Sequence, residues 1–194
     1  MSHPFRRREL AERPMLRIWT IGHSRHSLAQ LVALLRAHGV AAIADIRRYP
    51  FSRRHPHVSK PALSRALAAA GMVYEHFPAL GGRREPIPGL STNAAIADPA
   101  LRGYADWTGS AEFQAGLVAL CALASRQPTA VLCAEADPAR CHRALLADQL
   151  VARGVEVRHI LADGNLSAHA LPATARVLPD GRVVYPLPQL PLWD

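Results

Sequence analysis

A chain of 194 residues, 49% of them hydrophobic, suits one domain with a full core, and no apolar run is long enough to cross a bilayer. The formal charge of +8 favours anionic partners such as nucleic acid, nucleotides or phosphates, although an Ala-, Arg-, Pro- and Gly-rich chain with Lys60 as its one lysine also fits the bias of a GC-rich genome. Three cysteines, Cys121, Cys133 and Cys141, form no disulfide framework and point to reduced thiols and a cytoplasmic location.

In chain order, residues 1–15 read as a flexible basic arm carrying Arg6, Arg7 and Arg8, with no apolar stretch of the kind a secretory signal needs. Leu16 to Ile21 alternates as a first strand and ends in Gly22-His23-Ser24-Arg25. Ser27 with Gln30 makes a capping-box helix start, Leu28, Leu31, Val32 and Leu35 share one helical face, and Gly39 stops it. Val40 to Ile46 is a second buried strand with Asp45 and Arg47 at its end. The stretch after it, from Arg47 to Lys60, is the most basic in the chain. It mixes arginines, Arg53 among them, with Tyr49 and Phe51, a blend that grips phosphates and stacks bases. Asp45 is open to three roles: acid/base group, metal ligand, or the partner that orients an arginine.

Ser59 to Ala70 reads as a helix and Met72 to Phe77 as a third strand. Gly81-Gly82-Arg83-Arg84 follows, where paired glycines allow backbone to approach an anion. Pro86 to Asp98 has the composition of a surface loop or lid. Helices then start at Asp98-Pro99 and at Ser110, with Cys121 on the apolar stripe of the second. Thr129 to Ala134 is the fourth and central strand. It breaks at Glu135-Ala136 into Asp137-Pro138, a strong helix start. Cys141, His142 and Arg143 follow within a turn. Val155 to Leu161 is a fifth strand. Residues 166–194 form a proline-rich extension with a small hairpin around Pro179-Asp180-Gly181.

Strands alternating with helices predict one α/β domain over residues 16–165. Its mainly parallel sheet of about five strands has helices on both faces. All carboxyl strand ends then meet at one edge, the edge where open α/β sheets bind ligands. That edge collects His23, Ser24, Arg25, Asp45, Arg47, His76, Gly81, Gly82, Cys133, Glu135, Cys141, His142 and Arg143.

The segments TIGHSRHSLAQL, ADIRRYPFSRRHP, YEHFPALGGRREP and LCAEADPARCHRALLADQLVARGVEVRHIL, in this order, resemble the domain of unknown function family numbered 488. The resemblance covers roughly residues 16 to 165. Its Cys-x-Glu and Cys-His-Arg elements fall on Cys133, Glu135, Cys141, His142 and Arg143, its Asp-x-Arg and Ser-Arg elements on Asp45, Arg47, Ser52 and Arg53, and its paired glycines on Gly81 and Gly82. Ala139 stands where related sequences often carry a tryptophan. The resemblance implies a fold and a shared polar site and leaves the activity open.

Three chemistries compete for this edge. The first is a phosphate-bearing ligand or nucleic acid held by Arg140 and Arg143 at the helix start, with Arg47, Arg53, Arg83, Arg84, Ser24, Gly81 and Gly82 completing an anion groove. If that site is catalytic, hydrolysis or transfer at a phosphate is expected, with Asp45 or Glu135 as base and His142 or His23 as proton donor. A purely binding nucleic-acid module is the same reading without the reaction. The second is thiol chemistry at Cys141, for which neighbouring His142 makes a poor base if both lie on a helix. The third is a metal gathered by Cys133, Glu135, Cys141 and His142 with Asp45, His23 or His76, although no pair shows the close spacing of a robust zinc site, so no ligand set is assigned. The rival to all three is a salt-bridge network of Asp45, Arg47, Glu135 and Arg143 that only ties strand ends together. No membrane partner is expected, and no cofactor or oligomeric state is specified.

Overall fold

The computed structural model describes residues 15–53, 55–82, 84, 85, 89 and 91–188. Its parallel strands are β1 (Arg17–Gly22), β2 (Ala42–Asp45), β3 (Val73–His76), β4 (Thr129–Cys133) and β5 (Glu156–Ile160). A short β6 (Leu166–Ala168) pairs antiparallel to β5, giving a six-stranded sheet in the order β3-β2-β4-β1-β5-β6. The sixth strand is one more than the alternation predicts. It is three exposed residues long, too short to carry a periodic apolar signal. Every residue of β2 and β4 is buried, as expected where helices cover both faces of a parallel sheet.

Alternate residues of each strand enter separate cores. Ile21, Ile43, Ala130, Leu132 and Ile160 pack under α1 (Leu28–Ala37) and α2 (Lys60–Ala69) through Leu31, Leu35, Leu63 and Leu67. Ile18, Ala42, Ala44, Val131 and Val157 pack under α3 (Pro99–Trp107), α4 (Ala111–Arg126) and α5 (His142–Val151) through Tyr104, Phe113, Leu117, Leu120, Leu146 and Leu150. Burying such an aliphatic side chain contributes about 1.5–3 kcal/mol. Cys121 packs, partly buried, on the second of these cores. Ser27 and Gln30 form the capping box that starts α1.

The chain departs from expectation at Asp137-Pro138. Asp137 caps only a single 3-10 turn, Pro138–Arg140, by accepting from the Ala139 amide at 2.9 Å. The backbone then extends at Cys141 (φ −125°, ψ 146°), which becomes the N-cap of α5. The α-helix therefore begins at His142, four residues later than Pro138 suggests.

The hairpin of β7 (Arg176–Val177) and β8 (Val183–Val184) docks on α5, where the Gln149 side chain pairs with both backbone groups of Val183. The described part of the expected lid, residues 91–98, is pinned rather than hinged: Asn93 is buried, donates to Asp106 and accepts from the Tyr185 amide. No helix among the described residues is long and apolar enough to cross a membrane.

Candidate functional site

The strand order creates a place for a ligand. After β1 the chain turns toward β2 and crosses on one face through α1. After β4, the neighbour of β1, it turns the other way and reaches β5 through α5 on the opposite face. Loops that diverge at adjacent strand ends leave a crevice between them. A cleft of about 540 Å³ lies there, with walls from the ends of β1, β2 and β4 and the start of α5. The loops behind it touch closely. The His23 and Ser24 amides donate to the Cys133 and Ala134 carbonyls at 2.9 Å. A Cβ at Gly22 would sit 1.8 Å from the Glu135 carbonyl oxygen, so only glycine fits.

At the cleft floor Cys133, at the end of β4, meets Cys141 and His142 at the start of α5. His142 Nδ1 lies 3.8 Å from Cys141 Sγ and 3.9 Å from Cys133 Sγ. This corrects the expectation that His142 points away from Cys141. Cys141 occupies an extended cap position, so the two side chains are not separated by a helical step. The neighbouring Cys133 thiol pulls the Cys141 thiol well below its ordinary range, helped by His142 and the Arg143 charge against the opposing effect of burial. The closeness of Cys141, with burial, pushes Cys133 up.

His23 faces the same cleft. Burial and the nearby Arg47 charge lower its pKa to about 4, so the ring is neutral at pH 7. Its Nδ1 lies 3.2 Å from the Ser24 carbonyl, which can only accept. The proton therefore sits on Nδ1 and the Nε2 lone pair is available as a base. Ser24 is held at φ 43°, an unusual conformation for a residue with a side chain.

Asp45 has a different role. Its carboxylate accepts from Arg47 Nε at 2.9 Å, Arg47 Nη2 at 2.6 Å, the Arg47 amide at 3.0 Å and the Tyr74 hydroxyl at 2.7 Å. Those bonds saturate it, leaving no lone pair for proton transfer or for a metal. It is the arginine-orienting partner, the third of the roles open to it in the sequence. Burial opposes the Arg47 charge, but the bonds to Asp45 outweigh it and keep that guanidinium firmly charged. Burial and the bond to Asp45 push the Tyr74 hydroxyl up. Three of Arg47's five N–H groups are engaged, the third by the Val58 carbonyl at 2.8 Å, and the side chain still borders the cleft.

Arg143 does not face the cleft. It is 0% exposed and donates to the Glu135 carbonyl at 2.7 Å, the Ala136 carbonyl at 3.1 Å and Thr20 Oγ1 at 3.3 Å. It holds the turn after β4 from beneath and takes no part in the cleft wall. Gly81 and Gly82 do not cradle an anion either. A Cβ on Gly81 would lie 2.2 Å from the Ile46 carbonyl oxygen, and one on Gly82 would lie 2.8 Å from Arg48 Cβ, so these glycines admit the loop after β2. Arg53 is exposed and outside the cleft wall. Arg83 lies outside the described residues. Glu135 borders the cleft and accepts from the Asp137 amide at 3.3 Å. The expected salt-bridge network is therefore split: Asp45 pairs with Arg47, whereas Glu135 and Arg143 meet only through backbone.

Arg25 and Arg140, expected at this edge, do reach the wall, and Arg48 and His55, read only as part of the basic stretch, complete it. Arg25, Arg48, Arg140 and His55 border the cleft, beside Tyr49 and Phe51, which are 74% and 72% exposed. Among the described residues no carboxylate pairs with Arg25, Arg48 or Arg140. Arg48 instead stacks over Tyr49 at 5.4 Å.

No curated protein matches the chain, and no solved structure does. One family model, described as a domain of unknown function, DUF488, matches residues 27–150, a span that includes every cleft residue from Arg47 to His142. The match takes in well over half of the sequence, and the chain belongs to the DUF488 family.

Proposed function

We propose that the cleft binds a phosphate-bearing ligand with a stackable base, in the form of single-stranded nucleic acid. The observation that carries this reading is the contrast at the cleft between paired and unpaired arginines. Arg47 is neutralised by Asp45, whereas Arg25, Arg48 and Arg140 border the cleft without an ion pair among the described residues. Uncompensated guanidiniums bind phosphate bidentately. Tyr49 and Phe51 project beside them, and aromatic rings interleaved with a basic groove stack bases with little regard for sequence. Two exposed aromatics carry a cost in water that a stacked base removes.

A reaction at the bound phosphate, if it follows, falls to the groups that face it. The Nε2 lone pair of neutral His23 is the base and the guanidiniums hold developing charge. Asp45 and Arg143 have supporting roles outside that step.

Fluorescence anisotropy with labelled single-stranded DNA, duplex DNA and RNA over a salt series tests the reading, with free nucleotide as competitor. Single strands are expected to bind more tightly than duplex, with affinity falling steeply as salt rises. Phe51→Ala is expected to weaken binding by about 1–3 kcal/mol, the usual contribution of one stacked base. Competition by free nucleotide at similar concentrations would assign the cleft to a mononucleotide instead. Absence of binding to any of these at low salt overturns the proposal.

A further inference from the structure

The cleft floor brings together three side chains of metal-binding type, Cys133, Cys141 and His142. Neither ring nitrogen of His142 meets an oxygen or another nitrogen among the described residues; both see only sulfur, at 3.8 and 3.9 Å. The ring rests on Tyr104, centroid to centroid at 4.9 Å. Buried imidazoles ordinarily have a strong hydrogen-bond partner, and sulfur is a weak one. The donor atoms of Cys133, Cys141 and His142 nevertheless converge within 4.8 Å of one another, and all three residues are buried.

We propose that Cys133, Cys141 and His142 bind one zinc ion at the floor of the cleft, with the fourth coordination position open to whatever occupies the cleft. The spacing fits. Zn–S bonds of about 2.3 Å and Zn–N bonds of about 2.0–2.1 Å in a tetrahedron put neighbouring sulfur and nitrogen donors about 3.5 Å apart. The observed 3.8 and 3.9 Å need only a slight closure onto the ion. The backbone explains how adjacent residues serve together: Cys141 is an extended N-cap and His142 the first helical residue. Two thiolates and one imidazole suit zinc and exclude magnesium and calcium, which take oxygen donors. The charge also balances, since two thiolates neutralise a divalent ion in a buried place. The N-terminus of α5 favours the thiolate at its cap.

Three protein ligands with one open position is the arrangement of catalytic rather than structural zinc. The ion would face the cleft beside His23 and could polarise an oxygen bound there. Binding requires both sulfurs as thiolates and releases to solvent any thiol proton still carried. The inference does not rest on the nucleic-acid reading, since metal uptake and oligonucleotide binding are measured separately.

The test is elemental analysis of protein purified without added metal or chelator, followed by titration of the metal-free protein with cobalt(II). One zinc per chain is expected, and cobalt should give an intense thiolate-to-metal charge-transfer band that saturates at one equivalent and is displaced by zinc. The band should fall by about half in Cys133→Ser and in Cys141→Ser and stay unchanged in Cys121→Ser. The wild-type titration stands even if a variant fails to fold. No charge-transfer band in the wild type, with all thiols remaining open to alkylation in excess zinc, overturns the proposal. So does a band that Cys121→Ser removes and Cys133→Ser keeps.

Discussion

Helix α5 carries two polar clusters that follow opposite rules. At its N-terminus the nitrogens of His142 meet only the sulfurs of Cys133 and Cys141, and unpaired arginines stand above them. Six residues further along, Asp148 anchors a chain of directed hydrogen bonds. Its carboxylate accepts from the Tyr185 hydroxyl and from His169 Nε2, the latter at 2.7 Å. His169 Nδ1 must then accept from His159 Nε2, at 2.9 Å, and His159 Nδ1 from the Thr20 hydroxyl, at 2.7 Å. Arg143 donates to Thr20 at the far end. The difference teaches how to sort polar groups. Those with a directed partner hold the fold, as Asp148, Asp45 and Arg143 do. Those left with weak partners at a cleft are available to a ligand.

The comparison breaks first where pairing is densest. Asp45→Ala leaves Arg47 buried without its counter-ion and is expected to cost about 3–5 kcal/mol, read from urea unfolding. Asp148→Ala strands His169 and Tyr185 and is expected to cost about 1–3 kcal/mol in the same assay. A cost near zero for either would mean that these bonds do not hold the fold.

Acid sharpens the contrast. Burial, then the neighbouring His169 and Arg143, lowers the His159 pKa from 6.5 to about 4. A proton added there charges a buried ring close to His169 and Arg143. The unfolded chain takes up that proton near pH 6.5 and the folded chain resists it. The stabilisation is therefore present above pH 6.5 and is lost as pH falls through about 4. His23, lowered to about 4 by burial and then Arg47, adds in the same sense. Melting temperature should fall across that window, and less so in His159→Gln. A flat profile would contradict the directed chain.

The smallest effect on stability is expected at the cleft mouth. Arg48→Ala and Arg140→Ala should change unfolding free energy by no more than about 0.5 kcal/mol, because neither has an ion-pair partner among the described residues. Each should lower the salt slope of oligonucleotide binding by about 1.

The alternation of strands and helices was legible because apolar periodicity is local. The strand order was not, since it depends on which way each crossover turns. Asp45 beside Arg47 could be read as a buried pair from an i, i+2 spacing at a strand end. Arg143 could not: next to Cys141 and His142 it resembles an anion ligand, and only the packing of α5 against β1 shows it buried beneath the turn. Gly81 and Gly82 misled for a similar reason, since the close approach they permit is by the chain itself. The meeting of Cys141 with His142 turned on a cap conformation that one extended residue decides. The relay from Thr20 to Tyr185 spans most of the chain and leaves no mark in any short window.

The most direct test pairs two readings on one variant, oligonucleotide anisotropy and urea unfolding of Arg140→Ala against the wild type. The account predicts weaker binding with a shallower salt slope at unchanged stability. Unchanged binding, or binding that weakens only together with stability, would contradict a ligand-binding role for the unpaired arginines of the cleft.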